Sequence, residues 1–199
     1  LKGDFSDPIV EPITTQSEKR STFLRFLGEI LQTLILALVL YLLIDFMIAR
    51  VKVENISMQP TLKPGEFIIV NKMAYRLGPV NYGDIIVFHF NLQEDFIKRV
   101  MGLPGDLVEV MDGVVYINHQ AVEEDYLSAP PMYTGSWSVP DDHLFVLGDN
   151  RNQSSDSHKW GFVPINNVVG KALVVYYPFS DAKFLNQNFT VNAKTINNP

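Results

Sequence analysis

The chain has 199 residues, a formal net charge of −6 and no cysteine, and 47% of its residues are apolar. That apolar share can fill a core and argues against wholesale disorder, while the acidic balance argues against nucleic acid as the main partner, because phosphate binding needs a basic surface. The lack of Cys excludes a disulfide framework, a thiol nucleophile and Cys-based zinc sites.

In chain order, residues 1–22 are polar, contain Pro8 and Pro12, and read as a flexible tail. The first residue is Leu1 rather than Met, as expected of a trimmed N-terminus. Residues 30–44 (ILQTLILALVLYLLI) then carry no charge, and extending the stretch to 27–48 adds only Glu29 and Asp45 near its ends. Those 22 residues make about 33 Å of helix, enough to cross a bilayer. A buried core helix is the alternative reading. Apolar residues on all faces favour lipid, and residues 23–49 are assigned as a transmembrane anchor. Ile48-Ala49-Arg50-Val51 offers no A-x-A cleavage site, so a retained anchor is expected rather than a removable signal. Lys19, Arg20 and Arg25 before the span balance Arg50, Lys52 and Lys63 after it, leaving the orientation undecided.

Residues 50–199 read as a mainly β domain, a barrel or twisted sandwich. Strands are expected at Phe67–Val70, Asp84–Phe90, Phe96–Val100, Leu107–Met111, Val114–Asn118, His143–Leu147 and Val168–Tyr177. These runs are rich in β-branched and aromatic residues and are bounded by Gly, Pro, Asn and Asp. Asp112-Gly113 is a two-residue hairpin signal. His89, His119, His143 and His158 have no metal-ligand spacing, and no metal or cofactor is expected.

Three segments carry chemistry. In Ser57-Met58-Gln59-Pro60-Thr61-Leu62, Pro60 restricts the backbone just after the Ser, although a lone Ser is more often a turn residue. In Asp95-Phe96-Ile97-Lys98-Arg99-Val100, strand alternation puts Lys98 between Phe96 and Val100 on one face. A Lys so placed either snorkels or is desolvated, and desolvation favours the neutral amine, a competent base for a Ser hydroxyl. Lowering its pKa from about 10.4 to roughly 8 needs ~3 kcal/mol. The third segment, Gly148 to His158, is a polar run that could be an Asx-rich turn, a metal loop or part of a catalytic site; it lacks the EF-hand spacing.

Taken in order after an apolar span, Ser-Met-x-Pro-Thr-Leu, Ile-Lys-Arg-Val-x-Gly-x-Pro-Gly-Asp and Gly-Asp-Asn-Arg-x-x-Ser-x-Asp-Ser resemble the bacterial type I signal peptidases. Tyr82-Gly83-Asp84-Ile85-Ile86-Val87 resembles a fourth segment of that family, and the likeness covers about residues 30–178. It implies a membrane-bound Ser/Lys endopeptidase that removes signal peptides from exported preproteins after small residues, at Ala-x-Ala sites. The β-rich domain is then expected on the extracytoplasmic side of the plasma membrane. Lipid and the translocase are expected as partners besides the preproteins.

Carried over by position, Ser57 matches the nucleophile, Lys98 the general base and Ser154 the residue that orients the Lys amine. Asp149, Asp156, Arg99 and Arg151 match structural positions, and Met58, Leu62, Phe96 and Ile97 match the walls of the substrate pockets. Two positions depart from the family pattern. Asn55 stands where Ser or Gly is usual, and its amide is expected to donate to the oxyanion beside the Ser57 N–H. His158 stands where Arg is common. The rival readings are a membrane-anchored β-domain that binds peptides without cutting them, a Ser-His-Asp protease using His158 or His89, and a repressor-like Ser/Lys autoprotease.

Overall fold

The computed structural model describes residues 16–185 and 190–191, with the backbone alone described over 16–22 and 190–191. Residues 1–15 of the expected tail lie outside the described residues. The chain divides into two compact units, Leu1–Ile44 and Asp45–Pro199.

Helix α1 runs from Gln16 to Met47. It therefore starts inside the segment read as tail and stops before Ile48 and Ala49, which lie in a strand. Its stretch Phe23–Met47 has a mean hydropathy of 2.3 and is long and apolar enough to cross a membrane. Leu24, Leu31, Leu38 and Leu42 are all exposed, so no apolar stripe is sequestered, as suits a helix in lipid.

The second unit is built from β1 (Ile48–Lys52), β2 (Phe67–Asn71), β3 (Ile85–His89), β4 (Asp95–Gly102), β5 (Leu107–Met111), β6 (Val114–Ile117), β7 (Gln120–Glu123), β8 (Gly135–Ser138), β9 (His143–Leu147), β10 (Val163–Pro164), β11 (Val168–Tyr177), β12 (Lys183–Phe184) and β13 (Thr190–Val191). Helices α2 (Ala74–Leu77) and α3 (Ser157–Trp160) are single turns. The mainly β expectation holds. The barrel or sandwich resolves into two antiparallel sheets, one of eight strands along β1-β2-β11-β3-β4-β9-β10 with β12 on β11, and one of five along β13-β7-β6-β5-β8. Asp112 and Gly113 both take positive φ (51° and 78°) in the β5–β6 turn, and Asn118 and His119 (50° and 66°) do the same between β6 and β7. Such turns match the twist of the paired strands.

Period-two patterning places the core. Ile68 and Val70 of β2 point inward and pack with Val53, Met58, Leu62 and Val175. A second cluster joins Met101, Val108, Val110, Phe145 and Leu147, and a third joins Ile86, Phe88, Val100 and Val146. Strand β4 lies between clusters: Ile97 packs on the first, while Phe96 and Val100 belong with the third. Being covered on both faces, it is buried from Lys98 to Gly102.

Along its length β4 pairs with β3, from Asp95↔His89 to Arg99↔Ile85, but with β9 only between Arg99 and Gly102. The edge from Asp95 to Lys98 is thus left without a strand partner among the described residues.

Candidate active site

A cleft of about 830 Å³ opens along that edge of β4. Its walls come from Val51–Met58, from the β3–β4 hairpin, from Asp95–Lys98, and from Gln153 and Ser155.

Ser57 sits in a 3-10 turn, Ile56–Met58, whose next side chain, Met58, is 1% exposed in the first core cluster. Leu62 donates its N–H to the Met58 carbonyl (2.8 Å) and is itself fully buried. The turn is therefore rooted in packed side chains, while Ser57 faces the cleft. No backbone carbonyl takes up the Ser57 N–H among the described residues.

Lys98 comes from β4, 41 residues later, and its Nζ lies 2.9 Å from Ser57 Oγ and 3.0 Å from the Ile97 carbonyl. The residue is 4% exposed. Burial pushes its amine down to about 8 from 10.5, against Asp156 and Asp149, whose charges favour the ammonium. The strand alternation explains the burial: Lys98 shares the face of Phe96 and Val100, and its Nζ lies 5.0 Å from the Phe96 ring centroid.

The third motif braces both groups. Gly148 donates its N–H to Asp156 Oδ2 (2.9 Å), and a Cβ on Gly148 would fall 2.3 Å from Ser154 Oγ and 2.5 Å from the Ser57 carbonyl oxygen. Only glycine allows that approach. Asn150 donates its backbone N–H to the Ser57 carbonyl (2.9 Å) and its Nδ2 to the Ile56 carbonyl (3.3 Å). Asp149 receives Arg99 Nε and Nη2 at 2.8 and 2.7 Å in a pair with no exposed side-chain surface. Arg151 donates to the Gly148 carbonyl (3.1 Å) and pairs through both terminal nitrogens with Glu124, whose carboxylate also accepts from Tyr126 OH. His158 reaches Asp156 through its backbone N–H (3.3 Å) and through Nδ1 (2.6 Å), and Tyr133 stacks on its ring at 4.0 Å. The His at the usual Arg position thus keeps contact with Asp156.

The expected residues fall into three groups. Ser57, Lys98, Asn55, Met58, Phe96 and Ile97 line the cleft. Asn55 is exposed there, and its side chain makes no capping bond. Asp149, Asp156, Arg99 and Arg151 are buried behind it. Leu62 lies in the core and is not on the cleft wall, and Ser154 is buried with a hydroxyl that has no hydrogen-bond partner, so no bond joins it to Lys98. Roles for Asn150 and Glu124 are not legible in the sequence: Asn150 is marked only by its place in the Gly-Asp-Asn-Arg run and Glu124 by nothing, while Gly148 is marked as half of a Gly-Asp turn pair but not for its close approach to Ser57.

A profile described as "Signal peptidase, peptidase S26" matches residues 27–177. A protein named "Probable signal peptidase I-1" from Synechocystis sp. is 43% identical over 185 residues, covering 87% of this chain and 94% of that protein. A "Signal peptidase I" from Leptolyngbya laminosa is 42% identical over 182 residues, covering 86% of this chain and 88% of that one. Among solved structures, a signal peptidase I from Enterococcus faecalis V583 shares 33% identity, with a TM-score of 0.44 over 47% of this chain and 97% of that one.

Proposed function

As the chain belongs to the signal peptidases of peptidase family S26, we propose that Ser57 is its nucleophile and Lys98 its general base. The protein is a serine endopeptidase that cleaves signal peptides from preproteins, and its apolar helix fits a single-pass membrane protein. The observation that carries the assignment is the 2.9 Å contact between Lys98 Nζ and Ser57 Oγ. Burial adds to it by bringing the amine down to about 8, so that a neutral fraction exists at physiological pH.

Neutral Lys98 takes the Ser57 proton as Oγ attacks the carbonyl of the small residue at the cut. The oxyanion is received by the Ser57 N–H and by the Asn55 amide, groups of two cleft-lining residues that have no competing bond among the described residues. The Lys98 ammonium protonates the leaving amine, the mature protein departs, and a water deprotonated by Lys98 releases the signal peptide from the acyl-enzyme. This chemistry uses no metal or cofactor. The substrate lies extended along the open edge of β4, adding a strand to the sheet. Met58, Phe96 and Ile97 narrow the recesses beside it, so that Ala enters and bulkier side chains overlap with the walls, which is the Ala-x-Ala preference. Leu62 acts from beneath, by fixing Met58, the Asp149 and Asp156 carboxylates hold the site's shape and field, and Ser154 acts by packing against Gly148. We assign the β domain to the extracytoplasmic side of the plasma membrane, where lipid and the translocase would be its neighbours as preproteins emerge.

The test is cleavage of a preprotein with an Ala-x-Ala site by the wild type, Ser57→Ala and Lys98→Met in detergent. Cleavage by the wild type alone supports the dyad. Undiminished cleavage by either variant would remove that residue from the mechanism, and binding without cleavage by all three would make the protein a peptide-binding module.

A further inference from the structure

The hairpin between β3 and β4 ends in a turn that is built, not loose. Phe90 donates its N–H to the Glu94 carbonyl (3.0 Å), and Asn91 Oδ1 accepts from the N–H groups of Gln93 (2.8 Å) and Glu94 (3.0 Å). Asn91 Nδ2 closes the turn on Glu94 Oε2 (2.8 Å). This self-bonded Asx turn leaves Leu92 at the tip with its whole side chain exposed. Beneath it Phe90 is 39% exposed and stacks on Phe96 at 4.4 Å with the rings 3° from parallel. Both Leu92 and Phe96 line the cleft that holds Ser57 and Lys98.

A leucine held out rigidly in water loses apolar burial that any apolar partner would recover. A chain extended along β4 advances about 3.3 Å per residue. Lys98 lies three strand positions from Asp95, where β4 begins, and the tip lies just beyond that end, so it faces substrate residues roughly four to six from the scissile bond. Signal peptides are chemically lopsided about that bond: their apolar stretch lies on one side only, shortly before the cleavage site.

We propose that the β3–β4 hairpin tip is a subsite for the apolar stretch of the signal peptide, with Leu92 as its contact and Phe90 as its support. It rests on the reading that Ser57 and Lys98 cut a substrate extended along β4. The subsite gives the enzyme a second criterion besides the small residues at the cut: an apolar segment must sit at a fixed distance from it.

The experiment compares two substrates in detergent micelles, a peptide carrying a complete apolar stretch before an Ala-x-Ala site, and a short one spanning only the residues next to the cut. Leu92→Ser lowers the long-to-short ratio of kcat/KM by about fivefold, through the KM of the long peptide, as expected for losing part of one buried leucine. Leu92→Met restores the ratio. An unchanged ratio overturns the proposal, as does a ratio that falls only in phosphatidylglycerol vesicles, which would assign Leu92 to lipid. Failure of the dyad reading looks different: the short peptide would be cleaved equally by the wild type and Ser57→Ala.

Discussion

The carbonyl of Ser57 accepts the backbone N–H of Asn150 at 2.9 Å, and the side chain of the same Asn150 takes the Ile56 carbonyl at 3.3 Å. Two carbonyls of the turn that carries the proposed nucleophile are thus held by one residue 94 positions beyond Ile56 in the chain. Turned toward Asn150, they leave the Ser57 N–H directed elsewhere. Asn150→Ala keeps the backbone bond and loses the side-chain bonds to the Ile56 carbonyl and to Gln153 Oε1, the former worth about 0.5–1.5 kcal/mol to the turn. The expected outcome is a fall of about three- to tenfold in kcat with KM little changed, read by steady-state cleavage. An effect on KM alone would mean that Asn150 contacts substrate instead.

The rate should depend on pH through Lys98. Its amine titrates near 8, and only the neutral form can accept the Ser57 proton, so kcat/KM rises about tenfold per unit below pH 8 and levels above it. Asp156 contributes the largest pull toward the ammonium. Asp156→Asn should therefore move the acidic limb to lower pH. A limb moving upward, or not at all, would dissociate it from Lys98.

Removing Lys98 should move stability and activity in opposite directions. Because burial lowers the Lys98 pKa, the folded state is penalised wherever both states would carry the ammonium, below about 8. The penalty fades as pH rises toward the unfolded value of 10.5. Lys98→Met should abolish cleavage yet stabilise the fold by about 1–3 kcal/mol at pH 7, with no gain above pH 11. Denaturant melts at the two pH values check this.

Gly148→Ala should be damaging out of proportion to one methyl group. The new carbon meets Ser154 Oγ and the Ser57 carbonyl inside contact distance, and Ser57 O is backbone that cannot rotate away. A loss of about 1–3 kcal/mol is expected, with a fall in kcat exceeding tenfold as the turn shifts. Adding Ser154→Ala removes the Oγ contact but leaves Ser154 Cβ at 2.7 Å and the Ser57 carbonyl at 2.5 Å, so it should recover only part of the stability and little of the rate.

Much of this was legible from residue order. The seven expected strands all form, within a residue or two of their expected ends at most positions, because each pairs an alternating or apolar run with turn residues at its bounds. Six strands fall outside those seven; β10, β12 and β13 are only two residues each, and the other three lack a strand signal of their own. β1 continues directly from the apolar helix, while β7 (Gln-Ala-Val-Glu) and β8 (Gly-Ser-Trp-Ser) have little strand propensity of their own and owe their conformation to β6 and β5 beside them. At the site, Ser57 and Lys98 were readable from their motifs. The hold of Asn150 on Ile56 and that of Glu124 on Arg151 were not, since hydrogen bonds spanning 94 and 27 residues depend on topology rather than on neighbours in the chain.

Strand β4 is paired on both sides over one half and on one side over the other. The consequence is a division between breadth and discrimination. A pairing edge reads the spacing of amides, which every polypeptide shares, and so treats unrelated clients alike. Choice is left to the few side-chain contacts off the ladder, at the recesses next to the cut and at the proposed hairpin-tip subsite. An enzyme built this way can serve many secreted proteins without a common sequence, and a substrate escapes it by one bulky side chain in the wrong place, or by a proline that removes an amide from the ladder.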